Sequence, residues 1–113
     1  MQLSYPFPLE VRKMYIDCWT CWICSQNGQQ SGGLELHHVL GRISDSIFNS
    51  SVLCHKCHSH MGHSQEEEQQ LFLITLKYLY DLHYVPIEKD YDFLKMHYTR
   101  LVNDEIFKWL KLL

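Results

Sequence analysis

The pattern of apolar and polar positions changes near residue 64. Before this point the apolar residues come in short runs. LELHHV, which begins at Leu34, alternates as a strand does, and SSVLC, Ser50–Cys54, has the composition of a second short strand. A turn-rich segment, QNGQQSGG over residues 26–33, precedes the first strand, and a short helix is expected after Pro8.

After residue 64 the apolar residues recur at helical spacing. Ser64 followed by Glu67 has the capping-box pattern that starts a helix, and the apolar positions continue to His83. A shorter helix is predicted over residues 90–98, and another within LVNDEIFKWLKLL, residues 101–113. The last helix either caps the core or leaves an apolar stripe for a partner. The predicted fold class is therefore α+β.

Composition limits the broad class of protein. The chain has 113 residues, of which 46% are hydrophobic and 13% aromatic, so we expect one folded domain over residues 1–113. The richest apolar run, Leu71 to Leu82, contains Lys77 and Asp81 and is too short to span a bilayer. Without a secretory pattern at the start, a cytoplasmic protein with no membrane partner is the expectation.

Five cysteines in such a chain predict a metal site before they predict disulfides. Cys21 with Cys24, and Cys54 with Cys57, form two CxxC pairs, the spacing by which two tight turns share one tetrahedral zinc ion. Cys18 forms a third CxxC with Cys21, which leaves its participation in zinc binding open. We favour Cys21 and Cys24, because they adjoin the turn-rich segment, and interpret Cys18 as a core cysteine.

Three histidines and an asparagine occur near these cysteines, next to the ends of the two predicted strands or next to Cys57. His37 and His38 end the first strand, Asn49 precedes the second, and His58 directly follows Cys57. The combined pattern, H-H…N…C-x-x-C-H, resembles the HNH endonucleases of the ββα-metal (His-Me finger) superfamily, in the variety that carries a CxxC…CxxC structural zinc. Small freestanding proteins of this kind resemble those of bacteriophages and bacteria.

The resemblance covers about residues 21–63 and implies a fold. It predicts a zinc-stabilised ββα-metal core, treble-clef-like, over about residues 18–63, with mainly helical flanks and a helical extension over residues 64–113. It also implies a metal-dependent endonuclease that hydrolyses phosphodiester bonds in DNA, in the cytoplasm of a bacterium or a phage-infected host. The preference for DNA over RNA comes from this family analogy alone.

The resemblance also implies a role for each motif residue. His38 is the general base, and a neutral histidine can accept a proton at physiological pH. His37 and His58 are ligands of a catalytic divalent ion such as Mg²⁺ or Mn²⁺. Asn49 either holds the loop by hydrogen bonds or ligates the metal. His63, one residue beyond the place where the pattern often has a third ligand, is an uncertain member of the set.

Two other residues have competing interpretations. His60 competes with His63 for the third ligand position. Arg42, four residues after His38, is a candidate contact to substrate phosphate, and a solvated loop arginine explains it equally well.

The net charge of −3 argues against tight, nonspecific nucleic-acid binding. We therefore expect weak intrinsic affinity for DNA and recruitment by a protein partner, by homodimerisation or by a particular DNA structure, with the apolar C-terminal half as the candidate protein-binding surface. The alternative function is a noncatalytic zinc-binding adaptor or a nucleic-acid-binding module on the same scaffold. A nuclease directed at RNA is a third candidate.

Overall fold

A two-stranded antiparallel hairpin organises the first half of the chain in the computed structural model, which describes residues 7–28, 33–61 and 64–113. The first strand pairs with the second so that Leu34 lies opposite Cys54 and His38 opposite Ser50. The elements in chain order are α1 Leu9–Lys13, β1 Leu34–His38, a 3₁₀ turn Ile47–Asn49, β2 Ser50–Cys54, α2 His55–His60, α3 Gln65–Asp81, α4 Glu88–Leu101 and α5 Asp104–Leu112. The α+β prediction is confirmed, and β1, β2 and α2 follow one another along the chain.

The strand β1 separates its residues onto two faces. Leu34, Leu36 and His38 are buried, whereas Glu35 and His37 are half-buried on the other face. This is the alternation expected of a pleated strand with one side on the core. The two adjacent histidines therefore point in opposite directions, and each can serve a different environment.

Side chains define where the helices begin. The Sγ of Cys54 accepts a hydrogen bond from the Cys57 N–H, which caps α2, so α2 begins at His55 and His58 lies in its first turn. Ser64 caps α3 by accepting from the Glu67 N–H, as the sequence predicts. The helix α4 begins two residues earlier and ends three residues later than predicted.

The hairpin and the C-terminal helices share one buried core. Leu36 and Val52 from the strands join Leu76 of α3 and Ile106 of α5, all at most 1% exposed. The Thr75 hydroxyl of α3 also donates a hydrogen bond of 2.7 Å to the Ser50 carbonyl of β2. The apolar side of α5 thus caps the core, and burial of such side chains contributes roughly 1.5–3 kcal/mol each.

None of the helices in the described ranges is both long enough and apolar enough to cross a bilayer.

Candidate functional site

Four cysteine sulfurs converge at the end of the hairpin. The Sγ atoms of Cys21, Cys24, Cys54 and Cys57 all lie within 4.8 Å of one another, with 3.7 Å between Cys24 and Cys54. Four thiolates at this spacing can surround one tetrahedral zinc ion, for which Zn–S distances are about 2.3 Å. The donor set therefore fits a metal such as zinc, as the two CxxC pairs predict.

The first pair is presented by a tight turn anchored to the sheet. The Cys21 N–H donates to the Gln26 carbonyl at 2.9 Å, and the Ser25 N–H donates to the Cys21 carbonyl at 3.0 Å. Ser25 has a left-handed φ of 62°, which lets the chain reverse directly after Cys24. The Trp22 N–H donates to the Val52 carbonyl of β2, so the turn is fixed against the strand that delivers the second pair.

The electrostatics of the cluster favour a bound cation. Burial raises the pKa of Cys21, but hydrogen bonds from backbone N–H groups, including that of Ile23, outweigh it and bring the pKa to about 7. Burial and the neighbouring thiols raise the pKa of Cys57 to about 12. Four adjacent thiols oppose one another's ionisation, and a divalent cation offsets that repulsion.

Cys18 stays outside the cluster. It is 8% exposed and belongs to the hydrophobic core, and burial raises the pKa of its thiol. The ambiguity of the overlapping CxxC motifs is thus decided in favour of Cys21 and Cys24.

A histidine pair forms where β1 meets α2. The rings of His37 and His58 lie with their centroids 4.6 Å apart, edge to face. Glu35, on the same face of β1 as His37, contacts Nδ1 of His58 and lies 3.0 Å from Nδ1 of His55. Burial raises the pKa of Glu35, but the hydrogen bonds to His58 and His55 hold it below its usual value. An ionised carboxylate only accepts hydrogen bonds, so Nδ1 of His58 carries a proton and Nε2 is left for another partner.

His38 lies on the opposite face of β1, against the N-terminal segment. It is 7% exposed, and its ring stacks on Phe7 with centroids 3.9 Å apart and 13° between planes. Its Nε2 is 3.3 Å from Oδ1 of Asp45. Burial lowers the pKa of His38 more than Asp45 raises it, so the neutral, proton-accepting form is favoured.

Asn49 braces the loop between the strands. It is fully buried, and its Oδ1 accepts from the Leu40 N–H at 2.9 Å. Its Nδ2 donates to the carbonyls of Gly41 and Ser44 at 3.0 and 2.9 Å. The hydrogen-bonding role expected of Asn49 accounts for all three contacts.

Substituting Asn49 with alanine should destabilise the fold strongly. Each buried backbone group left without a partner costs on the order of 1–3 kcal/mol, so we expect a loss of about 3 kcal/mol or more. Urea unfolding of the zinc-loaded protein measures it. Asn103→Ala is the matched control, because Asn103 caps α5 and makes one further, exposed hydrogen bond of 3.5 Å to Gln69, so its loss should cost about 1 kcal/mol. Equal losses in the two variants would contradict this account.

The remaining candidates lie around these groups. Arg42 is exposed in the loop after β1 and lines an open cleft together with Asp45 and Lys89. His63 lies outside the described residues, so its candidacy as a ligand stays a prediction. Among described residues, the cysteines alone converge as a metal-binding group, and His37 and His58 form a pair.

Sequence reasoning missed Glu35 and Asp45. The strand alternation contained a signal for Glu35, because it stands two residues before His37 and must share its face. Asp45 had no local signal, because its approach to His38 depends on the path of an irregular loop.

Comparisons with protein-family models, with curated proteins and with solved structures give no match to this chain.

Proposed function

We propose that this protein is a metal-dependent endonuclease of the HNH type, hydrolysing phosphodiester bonds in DNA. The approach of His37 and His58, from a strand and a helix 21 positions apart in sequence, is the observation that carries the proposal. Together with His38 and the bracing Asn49, it supports a ββα-metal core over about residues 18–63. DNA as the substrate rests on the resemblance of the motif to HNH enzymes.

His38 is the proposed general base. It accepts a proton from water while the water oxygen forms a bond to phosphorus and the bond from phosphorus to the 3′ oxygen breaks. The neutral imidazole favoured by burial is the form this step requires. General-base catalysis of this kind contributes typically about 10²–10⁴-fold to the rate.

His37 and His58 are the proposed ligands of the catalytic divalent ion. When bound, that ion supplies positive charge to the phosphoryl oxygens and to the leaving oxygen. The contact with Glu35 orients His58 and keeps its Nε2 directed away from the carboxylate. His37 and His58, with His63 as the predicted third ligand, leave room in the coordination shell for water and phosphate, as an open catalytic site needs.

Substrate binding is expected to be weak without a partner. Arg42 is the proposed phosphate contact, and Lys89 lines the same cleft. The net charge of −3 leaves few cations for counterion release, which supplies most nonspecific affinity. Recruitment by another protein, or by a second copy through the C-terminal helices, is therefore part of the proposal.

One observation favours a second candidate function, a noncatalytic zinc-binding module. Phe7 covers a face of the His38 ring and the residue is only 7% exposed, although a base must reach water. Exposed apolar side chains in the C-terminal half, among them Val85 and Met96, suit an adaptor that docks on another protein.

Measuring metal content and plasmid nicking on one preparation separates the two functions. We expect about one tightly held zinc per chain, because the part of the chain that the structure describes contains one four-cysteine cluster. We also expect added Mg²⁺ or Mn²⁺ to switch on nicking of supercoiled plasmid, and EDTA to stop it. Zinc-loaded protein that cuts neither DNA nor RNA with any divalent ion tested would reject the endonuclease proposal and favour the noncatalytic zinc-binding module.

A further inference from the structure

His38 is held by two contacts that together define how its ring is presented. Phe7 stacks on one face, and the edge that carries Nε2 meets the Asp45 carboxylate at 3.3 Å. Asp45 stands seven residues after His38, outside the motif, and its side chain is 50% exposed. A carboxylate beside an imidazole nitrogen selects the tautomer that carries its proton there.

We propose that Asp45 is the positioning residue for His38: its carboxylate accepts a hydrogen bond from Nε2–H and leaves Nδ1 as the nitrogen that takes a proton from water. The inference rests on the proposed function, because it assigns the orientation of the proposed base. No bond to Asp45 forms or breaks, and the proton on Nε2 stays there throughout. Asp45 thus acts only through the ring that it orients.

The loop holds Asp45 in place from both sides. The Asn49 amide donates to the Gly41 and Ser44 carbonyls just before it, and the Ser46 N–H donates to the Ser44 hydroxyl at 3.1 Å. The Ser46 hydroxyl donates in turn to Oδ1 of Asp90 at 2.5 Å. The carboxylate therefore sits on a braced segment, as an orienting group requires.

Asp90 extends this bracing into the C-terminal half. It is 1% exposed in the first turn of α4, and its Oδ2 accepts hydrogen bonds from the Tyr84 hydroxyl and the Ile87 N–H. The helical extension thus contributes to the geometry of the loop beside His38. An acidic group near a scissile phosphate repels it, and Arg42 and Lys89 in the same cleft offset that repulsion.

The tautomer of His38 is directly measurable in the full-length, zinc-loaded protein. Long-range ¹⁵N–¹H correlation spectra of ¹⁵N-histidine protein distinguish Nε2–H from Nδ1–H, and His38→Ala identifies the signals. We expect the Nε2–H form in the unmodified protein and a mixture in Asp45→Asn, because an amide can donate as well as accept. Asp45→Glu should restore the Nε2–H form. Unchanged tautomer populations in Asp45→Asn would overturn the inference whether or not the protein cuts DNA.

Kinetics provide the second readout. We expect Asp45→Asn to lower kcat for plasmid nicking by about 10- to 100-fold with little change in KM, because misorientation of a catalytic group acts on the chemical step. Asp92→Asn, in the neighbouring cleft, removes the same charge and should leave the rate unchanged. Full activity of Asp45→Asn together with an inactive His38→Ala would reject the positioning role of Asp45 and would not affect the assignment of His38 as the base. Absence of nicking by the unmodified protein would instead reject the proposed function.

Discussion

Replacing Cys21 with serine is expected to abolish tight zinc binding and, with it, cooperative folding. Cys21 is 1% exposed and supplies one of four converging sulfurs, so serine removes a thiolate from a closed donor set. Structural zinc contributes an apparent binding free energy of about 10–16 kcal/mol, comparable to the whole stability of about 5–15 kcal/mol for a domain. Zinc content after dialysis and thermal unfolding followed by circular dichroism measure both effects.

Cys18→Ser is the matched control, because it also replaces a sulfur with an oxygen, in a buried cysteine that lies outside the cluster. We expect this variant to keep about one zinc per chain and to lose only about 1–3 kcal/mol for a buried hydroxyl. If Cys21→Ser unfolded at the same temperature as Cys18→Ser and retained its zinc, the assignment of the four-cysteine cluster as a structural metal site would be wrong.

The strands and the cysteine pairs were predictable because their signals are local. Alternation in LELHH reflects the pleat directly, and β1 begins and ends within that predicted run. The spacing of each CxxC pair keeps its two sulfurs close together, and the tight turn after Cys21 and the junction of β2 with α2 deliver all four sulfurs to one point. The Ser64 cap of α3 is equally local, since donor and acceptor are three residues apart.

Helix ends that depend on tertiary contacts were not predictable in the same way. The sequence suggested that α4 starts at Asp90, yet Asp90 is the third residue of the helix and its carboxylate reaches back to the Ile87 N–H. The same carboxylate holds Tyr84 and Ser46, a residue 44 positions away. A side chain that joins three segments gives no periodic signal, because its role exists only after the chain folds.

The residues of the candidate site also fall into two groups, those predictable from local sequence signals and those that depend on tertiary contacts. The motif histidines are adjacent to secondary-structure ends, so their faces follow from strand and helix geometry. Asp45 reaches His38 through an irregular loop whose path depends on hydrogen bonds from Asn49. Its contribution is therefore a property of the folded loop, and a sequence pattern alone could not contain it.

Substituting His38 with alanine should reduce metal-dependent nicking by about 10²–10⁴-fold, because it removes the group proposed to take the proton from the attacking water. The change should act on kcat and leave the zinc content unaltered, since His38 and the cysteine cluster share no donor atom. A time course of supercoiled plasmid conversion at saturating Mg²⁺ or Mn²⁺ measures the rate. Zinc content and circular dichroism of the same sample establish that the variant is folded.

His97→Ala is the control for loss of a histidine as such. His97 lies in α4 with its ring 5.0 Å from Phe93, and nothing in the proposed reaction requires it, so nicking should continue at the unmodified rate. Equal activity of folded His38→Ala and unmodified protein would exclude His38 as the base. His38→Ala also removes the ring that stacks on Phe7. The nuclease proposal predicts loss of nicking in His38→Ala even though Phe7 is also uncovered, whereas a noncatalytic adaptor would lose no function.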